Sequence, residues 1–206
     1  MSATTWILYD TEFTSWPDSQ RTNWEGRNRE LVRISALRID RHLRVVDIFD
    51  VLCRPVVEPV LSSYFMNLTG ITQEEIEAEG VSISEGLARF FEFCDGDGSG
   101  PILSYGNDRP VIEENLRGGT RPSSILSRMH DVRPLLEATL RRPLPSYLTS
   151  GTVYKAAPRL EQEVSARWAQ ASTFAHNSLW DVYSPLLLLR HLRGFPSLVL
   201  EGDPVF

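Results

Sequence analysis

Three short stretches of this sequence hold residue types that could do chemistry together. The first is Asp10-Thr11-Glu12, which closes the apolar, β-prone run Trp6-Ile7-Leu8-Tyr9. Side chains alternate faces along a strand, so Asp10 and Glu12 converge on one side. Two neighbouring carboxylates repel unless a cation lies between them, and oxygen ligands suit a hard divalent ion such as Mg²⁺ or Mn²⁺. Taken alone, the pair reads more simply as a solvated strand end. The second stretch is His176-Asn177-Ser178-Leu179-Trp180-Asp181, in which a histidine precedes an apolar helix and an acid falls in its first turn. A histidine near neutrality can take a proton from water, and the acid can ligate a metal, although a polar helix cap would read the same way. The third is Asp108, where the apolar run Pro101 to Tyr105 leaves through Gly106 into a helical pattern. Sites in α/β sheets gather at such strand ends, while an N-cap aspartate is the plainer alternative.

The elements that must hold these residues follow from periodicity. Trp6 onward reads as a central strand, Leu31 to Ile39 as a second and Val45 to Leu52 as a third, with Asp40-Arg41-His42 as a hairpin turn. Pro55 and Pro59 end the third strand. Thr72-Gln73-Glu74-Glu75 is a capping box, and Ser82 with Glu85 repeats its signature ahead of Leu87, Phe90, Phe91 and Cys94 at core spacing. That second helix should stop at the turn-rich segment Asp95 to Gly100. A strand over Pro101 to Tyr105 and a helix over Val111 to Leu116 come next. Gly118 to Ser150 carries one legible helix, Pro134 to Leu140, and must in part cross the sheet. Leu179 to Leu192, apolar on most faces, predicts a buried final helix. The expected fold is α/β: a mixed sheet of three antiparallel strands followed by parallel strands, flanked by helices.

Composition narrows the class. A chain of 206 residues, 42% hydrophobic and 23% charged, is expected to form a single domain, with a core over about residues 5–195 and a short C-terminal tail. Its formal charge of −6 argues against wrapping duplex DNA by bulk positive charge. The basic residues are arginines apart from Lys155, and arginine suits bidentate phosphate contacts. Cys53 and Cys94 lack metal or redox spacing and read as free thiols in a reducing compartment. The N-terminus carries no leader pattern and no apolar run is long enough for a membrane span, so a cytoplasmic location without membrane association is expected.

In chain order, the D-x-E of the first strand, the distant Asp108, and His176 followed five residues later by Asp181 resemble the DnaQ-like, RNase H-like 3′–5′ exonucleases of the DEDDh branch. The resemblance runs from Trp6 to about Arg193 and includes Leu68-Thr69-Gly70-Ile71 and the stretch from Ser150 to Leu160. A sister branch places a tyrosine four residues before the last acid, and here that position is Asn177. The resemblance implies that Asp10, Glu12, Asp108 and Asp181 hold two Mg²⁺ or Mn²⁺ ions and that His176 is the general base. The substrate it implies is the 3′ end of single-stranded DNA or RNA, released as nucleoside 5′-monophosphates. In many relatives the second-motif acid lies further from the preceding glycine, so Glu113 or Glu114 could stand in for Asp108. Phe13, Thr14 and Trp16, which follow the first motif, and Leu68 are the expected contacts to the terminal nucleotide. Arg21, Arg27 and Arg29 could meet backbone phosphates. A homodimer is compatible with the sequence, which does not fix the oligomeric state.

Other readings compete. Asp95 to Gly100 resembles the opening of an EF-hand loop, but the twelfth place, which needs a glutamate, is Gly106. Nucleophile-elbow and P-loop motifs are missing. A glycoside hydrolase would also use paired carboxylates, normally without a metal. A catalytically silent nucleic-acid-binding or scaffolding module of the same fold is the other alternative.

Overall fold

The computed structural model describes residues 5–96, 100–106, 108–116, 122–168, 176–195 and 199–206. Strand β1 (Trp6–Phe13) is buried along its middle six residues, as a run that is apolar on both faces requires of a central strand. It pairs antiparallel with β2 (Leu31–Ile39), which pairs antiparallel with β3 (Val45–Arg54). The β2–β3 hairpin is closed by Asp40, whose carboxylate accepts from the backbone N–H groups of His42 and Arg44. On its other side β1 pairs in parallel with β5 (Ile102–Ser104), which pairs in parallel with β6 (Met129–Asp131). The two-residue β4 (Val81–Ser82) runs parallel to the end of β3, giving the order β4-β3-β2-β1-β5-β6. The expected mixed sheet is therefore present, with β4 and β6 as short additional edges.

Helices cover both faces. Between β1 and β2 lies the single turn α1 (Ser19–Thr22). After β3 come α2 (Ser63–Thr69), α3 (Gln73–Glu79) and α4 (Ile83–Asp95). The capping box at Thr72 forms in full. At Ser82 it is half made: the hydroxyl accepts from the Glu85 N–H, while the Glu85 carboxylate pairs with Arg89 instead. The turn expected after α4 falls largely on Asp97–Ser99, outside the described residues. Helix α5 (Asp108–Asn115) follows β5, α6 (Ser123–Leu126) precedes β6, and α7 (Arg133–Leu140) follows it. A 3-10 segment, Ser150–Ala156, leads into α8 (Pro158–Arg167), and α9 (Ser178–Leu192) is the last helix.

Alternation along β1 divides the core. Ile7 and Tyr9 join Phe90, Cys94, Val111 and Met129 on the α4 and α5 side. Leu8 joins Leu37, Trp180, Leu187 and Val153 on the α9 side, so Asp10 and Glu12, in phase with Leu8, face α9. The segment expected to be a short tail is part of this core. Asp203 forms a buried ion pair with Arg190 of α9 (Nη1 to Oδ2, 2.6 Å), and Phe206 packs edge-on to Trp180 at 5.0 Å between ring centres. Cys53 and Cys94 are both buried and free, as their spacing suggested. Among the described residues, no helix is long and apolar enough to cross a membrane.

Candidate active site

A cleft of about 410 Å³ opens where β1 and β5 end, and it gathers Asp10, Glu12, Asp108, His176 and Asp181. Each is placed by its own element. Asp10 and Glu12 project from the C-terminal end of β1, opposite Ser35 and Arg33 of β2. Asp108 begins α5 and is fixed by Thr11, which sits between the two acids on β1 and donates its hydroxyl to Asp108 Oδ1 at 2.6 Å. Glu113 and Glu114, the alternatives to Asp108, turn away: Glu113 pairs with Arg109, and Glu114 with Arg29. Asp181 lies in the first turn of α9. That helix end is pinned by the Asn177 cap on the Trp180 N–H, by the Trp180 indole N–H donating to the Gly151 carbonyl at 2.8 Å, and by a 2.5 Å hydroxyl contact between Ser178 and Ser35. His176 precedes the cap at φ +68, a left-handed conformation that turns the chain into α9.

The electrostatics are one-sided. All four carboxylates are buried. Burial, then Asp108, Asp181 and Glu12 in that order, hold Asp10 well above the usual carboxylate range. Glu12 is raised in the same way by burial, Asp181 and Asp108, with Arg33 offsetting only part. Burial pushes Asp108 up to about 6 against the hydrogen bond from Thr11. It pushes Asp181 up to about 7 against the hydrogen bond that Ser150 donates to Oδ2 at 2.9 Å. Asp181 Oδ1 is buried with no hydrogen-bond partner among the described residues. Such an orphaned oxygen costs free energy unless a ligand satisfies it. Glu12, His176 and Asp181 bring ligand atoms within 4.8 Å of one another. A buried set of hard oxygen donors beside one imidazole, with excess negative charge and an unsatisfied oxygen, fits hard divalent cations.

Around the acids the cleft is aromatic. Phe13, Trp16 and Leu68, the residues expected to contact the terminal nucleotide, line it. Thr14 does not: it is buried, donates to the Asn28 carbonyl and accepts from the Glu30 N–H, so it pins the loop between β1 and β2 rather than facing the cleft. Arg29 lines the cleft, and Arg21 and Arg27 do not. Sequence reasoning missed Tyr64, Trp24, Tyr105 and Ser150, which also line it. Ser150 could have been suspected, because Thr149 and Thr152 carry the spacing of a cap that starts a helical turn.

Residues 7–100 match the family model RNase_T, described as exonuclease. No curated protein sequence matches the chain. Among solved structures, the chain is similar to the zinc-bound complex of E. coli ExoI with single-stranded DNA at 20% identity and a TM-score of 0.65, over 93% of this chain and 41% of that one. It is also similar to the nuclease domain of 3′hExo, a DEDDh family member bound to rAMP, at 17% identity and a TM-score of 0.67, over 93% of this chain and 94% of that one. A full-length 3′-exonuclease aligns over 94% of this chain and 62% of its own, with 17% identity and a TM-score of 0.67. The chain thus spans well under half of the ExoI structure and nearly all of the 3′hExo nuclease domain. The match to the exonuclease model over residues 7–100 and the four convergent acids thus sit in a chain whose fold is the RNase H-like mixed sheet of these solved exonucleases.

Proposed function

We propose that the chain is a metal-dependent 3′–5′ exonuclease that removes nucleoside 5′-monophosphates from the 3′ end of single-stranded DNA or RNA. The observation that carries this reading is the burial of four carboxylates from three distant segments in one cleft, beside a half-buried histidine and an unsatisfied Asp181 oxygen. Asp10, Glu12, Asp108 and Asp181 would hold two Mg²⁺ or Mn²⁺ ions. Bound there, such ions supply Lewis-acid activation of water and neutralise charge on the phosphate. The chain's own residues do the rest. Burial holds the His176 imidazole below its ordinary range, so it is neutral at physiological pH and can accept the proton of the attacking water. Ser150 and Thr11 orient Asp181 and Asp108 by the hydrogen bonds they donate. Phe13, Trp16 and Leu68 offer apolar surface on which an unpaired terminal base can stack. The two free thiols suit a reducing, cytoplasmic setting.

The test is release of labelled mononucleotide from a single-stranded oligonucleotide with Mn²⁺ and with chelator. Metal-dependent release from the 3′ end is expected, with loss in Asp10→Ala. Undiminished activity of that variant would overturn the assignment. Calorimetric titration with Mn²⁺ gives a second readout: wild-type chain should bind two ions per molecule, and Asp10→Ala should lose that stoichiometry.

A further inference from the structure

Beside the cleft lies a second cavity of about 500 Å³, lined by Asn23, Arg27, Asn28 and Val57, with Trp24 and Arg29 forming a wall that it shares with the first. Trp16 lines the cleft, and the Arg27 guanidinium lies 4.3 Å from the centre of its ring, so this stacked pair also joins the two spaces. We propose that the second cavity takes the phosphate backbone of the nucleotides 5′ to the one held in the cleft, with Arg27 as the phosphate contact. The proposal rests on the exonuclease reading and extends it to the upstream strand.

Three observations carry it. Charge comes first. A chain of net charge −6 whose cleft is acidic needs cations where the strand continues, and the second cavity supplies two guanidiniums against one carboxylate, Glu114. The guanidiniums differ in availability. Arg29 is held in a forked pair with Glu114, whereas Arg27 meets Asp18 at 3.5 Å with both side chains well exposed, a pairing weak enough for a phosphate to replace.

Stacking surface is the second observation. Arginines interleaved with aromatic rings are the usual equipment of single-strand grooves, and here Trp16, Trp24 and Phe13 cluster with Arg27 and Arg29.

The third is the backbone. Asn23 and Trp24 are both left-handed, at φ +49 and +56, a conformation that asparagine tolerates and a bulky ring disfavours. It is held by the Trp24 N–H on the Ser19 carbonyl, the Arg27 N–H on the Trp24 carbonyl and the Trp24 indole N–H on the Thr14 carbonyl. These hydrogen bonds fix the Trp24 ring at the shared wall.

The test uses the full chain and a labelled single-stranded oligonucleotide with phosphorothioate 3′ linkages to slow hydrolysis. Binding in Mg²⁺ is followed by fluorescence anisotropy across a salt titration. Arg27→Gln should weaken binding roughly fivefold and flatten the salt dependence by about 0.7, the loss of one phosphate contact on a single strand, while Arg27→Lys should keep the slope. Turnover of unmodified oligonucleotide and of a nitrophenyl ester of thymidine 5′-monophosphate separates contact from architecture. The ester reaches only the cleft, so Arg27→Gln should change its hydrolysis less than about twofold. An unchanged salt slope overturns the proposal, and so does an equal loss on both substrates, which would make Arg27 a support of the loop. A wild-type chain that binds the strand through Arg27 and cleaves neither substrate would refute the exonuclease reading and support the second site.

Discussion

Replacing Asp181 with asparagine should stabilise the metal-free protein while removing its activity. The change keeps the shape and the acceptor for Ser150, and it deletes a charge that no cation among the described residues offsets. Asp181 is pushed up to about 7 by burial, whereas an unfolded aspartate titrates near 3.9. A carboxyl raised on folding contributes stability that is intact below about pH 4 and lost as pH rises through about 7. At about 1.4 kcal/mol per tenfold change, the ionised form near pH 8 costs up to about 4 kcal/mol. Relaxation and water entry reduce this, so a gain of about 1–3 kcal/mol is expected. Asp10 and Glu12 are both raised by Asp181, so its neutralisation relieves them as well. For a chain of this length that corresponds to a melting temperature higher by roughly 3–10 °C. Scanning calorimetry in chelator at about pH 8 and about pH 5 measures it, and the gain should fall to about a third at the lower pH. Saturating Mn²⁺ should reverse the order, because wild type gains about 2.7 kcal/mol at a hundredfold excess over Kd and the variant gains less. An unchanged or lower melting temperature of Asp181→Asn in chelator near pH 8 would refute the view of the site as an uncompensated charge cluster.

Other expectations follow from the same contacts. His176→Gln should lower kcat by about 10²- to 10⁴-fold if the imidazole takes the proton, with little change in Mn²⁺ binding by calorimetry; retained kcat would remove it from the chemistry. Ser150→Ala deletes the hydrogen bond that holds Asp181 and should weaken Mn²⁺ affinity about tenfold, read by the same titration. Asp203→Ala leaves the fully buried Arg190 without its carboxylate and should cost about 3–5 kcal/mol in denaturant unfolding. Gly86→Ala should destabilise by about 1–3 kcal/mol, because a Cβ there would lie 2.4 Å from the buried Cys53 sulfur.

The parts of the fold that were readable in advance are those with a sustained period. β2 matches its expected bounds, and α9 starts one residue earlier than its apolar run. β1 runs on to Phe13 because its acids lie within the strand rather than after it. Gly118 to Ser150 resisted reading because its buried residues, among them Leu126 of α6, Met129 of β6, Leu136 of α7 and Leu144 and Leu148 beyond it, are scattered over short pieces of chain. Of the elements there, α7 was legible, whereas α6 and β6 are too short to show a period of their own. Helix α2 was missed because Phe65 is its sole buried residue, in a segment preceded by prolines. The acids and His176 were legible through order and spacing. The lining was not: Tyr64, Trp24 and Tyr105 reach the cleft from α2, from the loop before β2 and from the end of β5, and their convergence is a property of the closed fold.

That convergence divides the site along the chain. Asp10, Glu12 and Asp108 precede Asn115, whereas His176 and Asp181 follow Ser123, and the two portions meet where α9 packs on β1 and β2 and where β6 pairs with β5. The family match over residues 7–100 therefore covers two of the four acids and not the histidine. Expressed as two polypeptides cut between Asn115 and Ser123, each piece would carry an incomplete ligand set. Recovery of Mn²⁺ binding on mixing would then report reassembly of the sheet with its last helix, so that the proposed metal site would serve as a built-in sensor of fold completion.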